Sequence, residues 1–389
     1  MPDEPTLVDD FFKHDRVLIE ASLELANGSF FQPTGFPDIG ACIFVDRDGQ
    51  RHCLVESEQS TANRLESVCM QEPGIWCAPF DGKLPIIRIQ DGSGNLLGTN
   101  LTEPHRVSSS YVLEGTFNGG ATLQERLRER LGISADGIRW PLDKRSELSR
   151  VVFALDPAAV LHGFQFMQWS AVGLRQQRLI NARIEAVLEG DSDVHYGAVK
   201  VDSIDPNDHP KKSNKGQSIA YKHRLVPKSI TATFEIDVLG LRTRRLVKTA
   251  DGDSSDNTRA QKFLLALALW KIRQFLADQP AFDPRTGQTE RSLRLRSDCA
   301  LKRSKVVYRA QSGGGDFACA KSIEIDQLAK DEKDTVDPLA PIPEFGPLVD
   351  AVVGTKQLDL RVTYGKNPKP DEADPAPDVG EDVADDTEE

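Results

Sequence analysis

The stretch that decides the fold reads RVLIEASLEL and spans residues 16–25. Apolar and polar residues alternate along it, which is the pattern of a half-buried strand. The stretch SITATFEIDVL at residues 229–239 repeats this alternation. Both stretches predict strands of a sheet that has one face against the core.

Further elements follow from apolar periodicity and from turn and cap residues. Asp48-Gly49 predicts a hairpin turn, and Ser57 predicts a helix N-cap. The other predicted strands are 41–45, 52–56, 86–89, 111–116, 151–155 and 292–296. The predicted helices are 57–70, 123–131, 174–188 and 257–277. This order predicts an α+β fold with one antiparallel sheet and helices on one face, and a ferredoxin-like core with insertions fits it.

The chain divides by composition into a core with flanking segments. The predicted segments are a lead-in (1–15), a core (16–330) with a mixed insertion around 71–145 and a long basic loop around 202–220, a C-terminal extension (331–365), and an acidic tail (366–389). The tail is of low complexity, and we expect it to be disordered.

Composition excludes several classes of protein. The chain has 389 residues, of which 39% are hydrophobic, enough for a sizeable core. No window approaches 18 consecutive apolar residues, and the acidic N-terminus does not resemble a signal peptide, so no membrane association is expected. None of the six cysteines forms a CxxC pair, so neither a zinc site nor a redox motif is indicated. A reduced, cytoplasmic setting fits this cysteine usage best.

The distribution of charge matters more than the net charge of −12. Residues 370–389 contain ten acidic and no basic residues, which leaves −2 on the rest of the chain. Residues 211–248 contain ten Lys and Arg against two acids, and residues 285–309 contain eight against two. A single charge run is more typical of a solvated surface, but two such stretches on a nearly neutral body are equally consistent with a positive groove.

Catalytic signatures are not found in the sequence. It has no GxxxxGK[ST], GxGxxG, HExxH or GxSxG motif, and its seven histidines are not at metal-ligand spacing. The run Gly313–Gly315 is interpreted as a turn rather than a phosphate-binding loop. His223 lies between Lys222 and Arg224 and is the one candidate for a general acid in RNA cleavage; the alternatives are a polar contact to the RNA backbone or a surface residue without a role. No cofactor and no metal are expected.

Contacts to nucleic acid are better supported. The predicted helix at 57–70 offers free N–H groups at its N-terminus, which suit phosphate, unless it is an ordinary capped helix. The loop at 30–36 supplies aromatic rings that can wedge against bases, although Phe30 is expected in the core. The strand at 292–296 places two arginines on one face. The predicted contact residues are Gln32, Thr34, Phe36, Gln59, Ser60, Asn63, Arg64, Lys200, Lys211, Lys212, Lys215, Lys222, His223, Arg224, Arg294, Arg296 and Lys302.

Seven sequence blocks, in order, resemble one family. The blocks are LIEASLELANGSFFQPTGFPDIGA (18–41), LVESEQSTANRLE (54–66), LHGFQF (161–166), GAVKVDSIDP (197–206), YKHRLVPKSITATFEIDV (221–238), FLLALALWKIRQFL (263–276) and SLRLRSDCAL (292–301). They resemble the Csb-one family of CRISPR-associated RAMP proteins, the Cas-seven-type backbone subunit of type I-G (formerly I-U) Cascade. The insertion at 71–145 and the tail resemble the family least.

The resemblance implies a modified RRM-like core with palm-like and thumb-like additions. It implies that copies of the chain polymerise along a guide RNA (crRNA) in a Cascade complex and hold it by its backbone. The partners would be the guide, other Cascade subunits, and target DNA recognised through the guide heteroduplex. It implies no catalytic activity.

The main hypothesis is therefore a non-catalytic guide-RNA-binding filament subunit. One alternative is an endoribonuclease that processes the guide precursor, with His223 as catalytic acid. Another is a structural interaction protein whose basic segments bind acidic partners. The acidic tail can also fold back on those basic segments and compete weakly with RNA for them.

Overall fold

The computed structural model describes most of the predicted core and part of the C-terminal extension. The described residues are 6–33, 35–36, 40–72, 74–117, 120–196, 201–202, 217–218, 222–248, 255–283, 287–295, 299–324 and 342–365. Most of the predicted basic loop, part of the extension and the predicted tail lie outside them.

The described residues form short and long strands, α-helices and a few 3-10 turns. In chain order the strands are β1 (Arg16–Leu25), β2 (Gly35–Phe36), β3 (Gly40–Ala41), β4 (Ile43–Val45), β5 (Arg51–Glu56), β6 (Met70–Glu72), β7 (Ile75–Trp76), β8 (Ile86–Gln90), β9 (Leu96–Thr99), β10 (Thr116–Phe117), β11 (Phe164–Gln165), β12 (Arg175–Gln176), β13 (Ile180–Tyr196), β14 (Val201–Asp202), β15 (Gln217–Ser218), β16 (Lys222–Asp237), β17 (Pro280–Asp283), β18 (Gln288–Arg291), β19 (Arg294–Leu295), β20 (Cys299–Gln311), β21 (Ala318–Glu324) and β22 (Asp359–Thr363). The α-helices are α1 (Leu7–Phe11), α2 (Glu58–Ser67), α3 (Ser110–Leu113), α4 (Leu123–Leu131), α5 (Glu147–Leu155), α6 (Pro157–His162), α7 (Val238–Arg242), α8 (Ser255–Leu276) and α9 (Phe345–Val353). The 3-10 turns occur at Arg106–Ser108, Leu142–Lys144 and Met167–Val172.

A large antiparallel sheet forms the centre of the molecule. Its strand order is β19-β20-β1-β16-β13-β5-β4, and β21 pairs with β20. Helix α2 lies between β1 and β13 in the chain, and α8 lies between β16 and β20. The four central strands and these two helices thus follow one another as β-α-β-β-α-β. The α+β class and the antiparallel sheet predicted from the sequence are confirmed.

One face of this sheet is buried and the other is open. Val17, Ile19, Ala21 and Leu23 of β1 are buried, and their neighbours on β16 and β13 alternate in the same way. Helix α8 is buried along most of its length and packs with α2 against this face. The helices therefore cover one face, while the polar residues between the buried ones line the open face.

Three predicted elements are wrong in type. The sequence predicts an amphipathic helix over residues 174–188, but Ile180, Ala182, Ile184, Ala186 and Leu188 are the buried side of strand β13. The apolar residues of this stretch fit both a period of 3.6 and a period of 2. Pairing with β16 on one side and β5 on the other decides for the strand.

The two other errors concern short apolar runs. The predicted buried strand at residues 151–155 is instead the end of helix α5, and all five of these residues are buried. Periodicity cannot separate these cases, because a fully buried helix segment lacks a polar face. In the predicted strand at 111–116, the first three residues belong to helix α3. The Ser109 hydroxyl caps this helix by accepting a hydrogen bond from Tyr111 N at 3.2 Å.

The segments outside the central sheet join the core. Within the predicted lead-in, α1 buries Val8 and Phe11. Strand β22 of the C-terminal extension lies between β10 and β8 of the insertion and runs parallel to β8. The extension and the insertion therefore share a four-stranded sheet, although they are more than 200 residues apart in the chain.

Candidate nucleic-acid interface

Strands β13 and β16 are much longer than their neighbours and extend past the sheet as a two-stranded arm. The arm comprises residues 188–196 and 222–227, with Val194 opposite Arg224. Phe31 pairs with Leu225 through two backbone hydrogen bonds of 3.0 and 2.9 Å. The 30–33 segment therefore lies along the base of the arm.

A cation and an aromatic ring are in contact at this base. The guanidinium carbon of Arg224 lies 5.0 Å from the centre of the Phe30 ring. The Phe30 side chain is 38% exposed, whereas Phe31 is buried, so the expectation that Phe30 is a core residue is wrong. Gln32 is half-buried, and its Oε1 has no hydrogen-bond partner among the described residues. An exposed ring beside a guanidinium can stack on a base or hold a phosphate.

Other cations lie at the same end of the sheet, on strands β16, β20 and β19. Lys228 and Arg294 are exposed, and Arg294 pairs with Ala300. Lys302 Nζ lies 3.1 Å from the Glu24 carboxylate, with both side chains more than half exposed. The backbone bond from Ala26 N to Ala300 O, 2.8 Å, fixes β1 and β20 together at this point. We use the name arm end for this end of the central sheet, at which β1 finishes and the arm begins.

The cations of the arm end are concentrated on β16, β19 and β20. The sequence there carries Lys222, Arg224, Lys228, Arg294 and Lys302, with Glu24 on the neighbouring β1, whereas the β13 strand of the arm carries Glu189, Asp191 and Asp193. The Lys222 side chain is not among those described, but its backbone pairs with Tyr196 on the arm. Single-stranded nucleic acid is held by such grooves of cations with aromatic rings beside them.

The residues predicted on helix α2 lie elsewhere. Arg178, which precedes β13, bonds to Gln59 Oε1, so the N-terminus of α2 is near the opposite end of the sheet. Ile180 and Leu188 are separated by about 26 Å at the usual strand rise. The predicted contacts that fall within the described residues therefore form two groups, one at the arm end and one on α2.

The N-terminus of α2 is largely used by the fold. Ser57 caps the helix, and its hydroxyl accepts a hydrogen bond from Ser60 N at 3.3 Å. The Ser60 hydroxyl is buried and donates to the carboxylate of Glu56, which is itself fully buried. Gln59 Nε2 donates to Asn63 Oδ1 at 3.0 Å, and Arg64 is half-buried with partners inside the protein. Ser60 is thus an internal contact and not an exposed donor, which corrects its predicted role.

The remaining predicted contacts are not tested by the structure. Thr34, Lys200, Lys211, Lys212, Lys215 and Arg296 lie outside the described residues. Phe36 and His223 are described as backbone only, with His223 paired to His195 on the arm. The assignment of His223 as a catalytic acid stays a prediction.

Two side-chain contacts, an aromatic stack at the sheet edge and a lysine–histidine pair in the core, could not be predicted from the sequence. Phe44 on β4 is exposed and stacks on His52 of β5. In the core, Lys271 is fully buried, and its Nζ lies 2.9 Å from His162 Nε2. Burial, Lys271 and two arginines lower the pKa of His162 well below its usual value. A lysine inside an apolar helix gives no sign of its partner, so this pair was not predictable.

Metal ligands and membrane-spanning helices are absent from the part of the chain that the structure describes. That part contains no group of three or more His, Cys, Asp or Glu side chains arranged to hold a metal ion. No helix in the described ranges is long and apolar enough to cross a membrane.

Part of the chain matches one known family of CRISPR-associated proteins. Residues 17–189 match the family model described as CRISPR-associated protein GSU0053. The match runs from β1 into β13, somewhat less than half of the chain. A search of curated proteins returns no match.

Two solved structures are also similar. A chain of a "CRISPR RNA-guided surveillance complex, pre-nicking" is 11% identical, with 77% of each chain covered and a TM-score of 0.33. Csc2 of Thermofilum pendens is 12% identical, with 89% of this chain and 83% of that chain covered and a TM-score of 0.28. At these scores the two structures do not establish a shared fold.

Proposed function

We propose that this protein is a CRISPR-associated subunit that binds single-stranded guide RNA by its sugar-phosphate backbone at the arm end. The observation that carries the proposal is the group of cations on β16, β20 and β19 beside the exposed Phe30–Arg224 pair. The match of residues 17–189 to a CRISPR-associated family supports the biological setting. Backbone cations fix the position of a strand without reading its sequence.

The finer assignment follows the resemblance to the Csb-one family. The proposed protein is a Cas-seven-type backbone subunit of type I-G Cascade, with an RRM-like core and palm-like and thumb-like additions. Copies of it assemble along the guide with other Cascade subunits and present the guide to target DNA. The β-α-β-β-α-β order of the central sheet is compatible with an RRM-like core.

The salt dependence of RNA binding tests this proposal. The purified protein should carry RNA, visible in the ratio of absorbance at 260 and 280 nm. After removal of that RNA, log K for single-stranded RNA should fall with log salt at a slope of about −0.7 per phosphate contacted, or about −3 for four contacts. A slope near zero would refute backbone binding.

A matched pair of variants locates the contact. Arg224→Gln, Arg294→Gln and Lys302→Gln together should reduce the magnitude of the slope by about 2. The control carries Lys13→Gln, Arg139→Gln and Lys144→Gln, three exposed residues outside the arm end with the same change of charge. Equal effects of the two triple variants would place the RNA elsewhere.

The absence of catalysis is part of the proposal and needs its own assay. Labelled precursor RNA incubated with the protein should stay intact. Specific cleavage that is lost in His223→Ala would instead favour the endoribonuclease.

A further inference from the structure

An aromatic ring is displayed on the edge hairpin β4–β5. The Phe44 side chain is 40% exposed, and its ring stacks on the His52 ring with centroids 5.2 Å apart and planes 16° from parallel. The two residues are directly opposite each other in the antiparallel pair. Aromatic rings pair favourably with other rings in offset-stacked or edge-to-face geometry, so a ring that is held flat and partly exposed can take a further stacking partner.

The ring is held in place from below. His52 Nε2 lies 3.0 Å from Asp46 Oδ2, and Asp46 Oδ1 accepts hydrogen bonds from Gln50 N at 2.8 Å and Asp48 N at 3.0 Å. The Gln50 N–H lowers the pKa of Asp46, and His52 lowers it further, so the carboxylate is ionised at neutral pH. Asp46 therefore orients His52, and His52 supports Phe44. A side chain fixed in this way loses little entropy when a ligand stacks on it.

The strand register places the ring on the open face of the sheet. His52 is opposite Val187, and Val187 is opposite Ser229. Glu24 of β1 follows in the same row and is opposite Lys302 of β20. The row therefore crosses the arm end from Phe44 to Lys302, a distance of about 24 Å for five strand spacings. Phe44 lies at one end of the row, and the cations of the proposed RNA site lie at the other.

We propose that Phe44, supported by His52, is a stacking platform for one unpaired nucleobase of the bound RNA. This inference rests on the proposed function and adds a base contact to the backbone contacts. Beyond His52 the row passes Val187 and then Ser229, Glu24 and Lys302, and the charged pair contrasts with the centre of a protein–protein interface, which is depleted of charge. A flat exposed ring about 24 Å from the cations of the arm end can take one base of a strand whose backbone those cations hold.

The test measures RNA affinity in Phe44→Ala, with Val45→Ala as the control. Val45 is the next residue on β4, is 65% exposed and points to the other face, so its loss changes the hairpin without removing the platform. Phe44→Ala should raise the Kd for single-stranded RNA at least about fivefold, as expected for one lost base–aromatic stack. Phe44→Tyr should keep the affinity. The salt slope should not change, because no phosphate contact is lost.

An abasic scan identifies the base. RNA with one abasic nucleotide should bind the wild-type protein more weakly at one position, and Phe44→Ala should be insensitive to that position. Equal Kd values and equal abasic profiles for Phe44→Ala and wild type, with the salt slope intact, would overturn the platform and leave the proposed function standing. A wild-type protein that binds no RNA would instead refute the proposed function. A change in light-scattering mass for Phe44→Ala without RNA, and none in affinity, would overturn the platform and assign Phe44 to a contact between copies.

Discussion

His162 should make the stability of the protein depend on pH in a narrow window. The ring is 2% exposed, and its Nε2 accepts a hydrogen bond from the buried Lys271 ammonium at 2.9 Å. Burial is the largest cause that lowers its pKa, followed by the charges of Lys271, Arg106 and Arg178. Protonated His162 has no place in this environment, so the folded protein keeps it neutral.

The size of the effect follows from proton linkage. In the unfolded chain the pKa of His162 is near 6.5, the usual value. Below that pH the unfolded state binds one more proton than the folded state. The free energy of unfolding should therefore fall by about 1.4 kcal/mol per pH unit, approaching about 2 kcal/mol between pH 6.5 and 5.0. The stability is fully present above pH 6.5 and is lost as the pH falls.

The assay compares wild type with His162→Gln. Glutamine keeps an acceptor for Lys271 but does not titrate. Urea unfolding at half-unit steps from pH 7.5 to 5.0 should give a wild-type curve that falls more steeply than that of the variant. Asp156 is also buried, and burial raises its pKa, which has the opposite sign and is common to both proteins. Parallel curves would refute the reasoning.

Three further perturbations test the packing, each with a matched control. Ser57→Ala should cost about 1 kcal/mol of unfolding free energy, because it removes the N-cap of α2, and Ser312→Ala in an exposed turn should cost less. Glu66→Gln should cost about 3 kcal/mol, because it breaks a largely buried two-bond pair with Arg106, whereas Glu24→Gln breaks an exposed pair and should stay within about 1 kcal/mol. Gly74→Ala and Gly49→Ala both place alanine at positive φ, but only the methyl group added at position 74 meets another side chain, that of the buried Thr99. Gly74→Ala should therefore be more destabilising than Gly49→Ala by about 1–3 kcal/mol. Equal losses within any pair of variants, measured by thermal and urea unfolding, would contradict the corresponding contact.

Elements with one clear period were predictable from the sequence. Strand β1 alternates strictly between buried and more exposed residues over most of its length, and helix α8 is a long apolar run with a cap-like polar start, so one secondary structure fits each of them. The stretch that forms β13 fits two periods, and only its neighbours β16 and β5 decide between them. The neighbours of a strand in the sheet are set by the folded structure, so they could not be predicted from this one sequence.

The candidate site was predictable in residue type but not in arrangement. Arg224 and the aromatic loop at 30–36 are both recognisable in the sequence. Their contact depends on the Phe31–Leu225 bridge, which joins residues nearly 200 positions apart. Phe44 was not predictable, because a three-residue strand shows no alternation that separates its two faces. The sequence analysis predicts the α2 residues as RNA contacts. It does so because the sequence does not distinguish a free helix N-terminus from one whose polar groups bond to Ser57 and Glu56.

The position of β1 in the sheet has a consequence for synthesis of the chain. β1 leaves the ribosome before the other strands, yet Arg16 pairs with Asp237 on one side and with Gln311 on the other. At roughly 5–20 residues per second, β1 waits about 15–60 s for its second partner to be made. For most of that time Val17, Ile19 and Leu23 have no sheet neighbours to cover them. One of the central strands of the folded protein is thus an apolar segment left exposed for much of translation, and we expect chaperones that hold nascent chains to bind there.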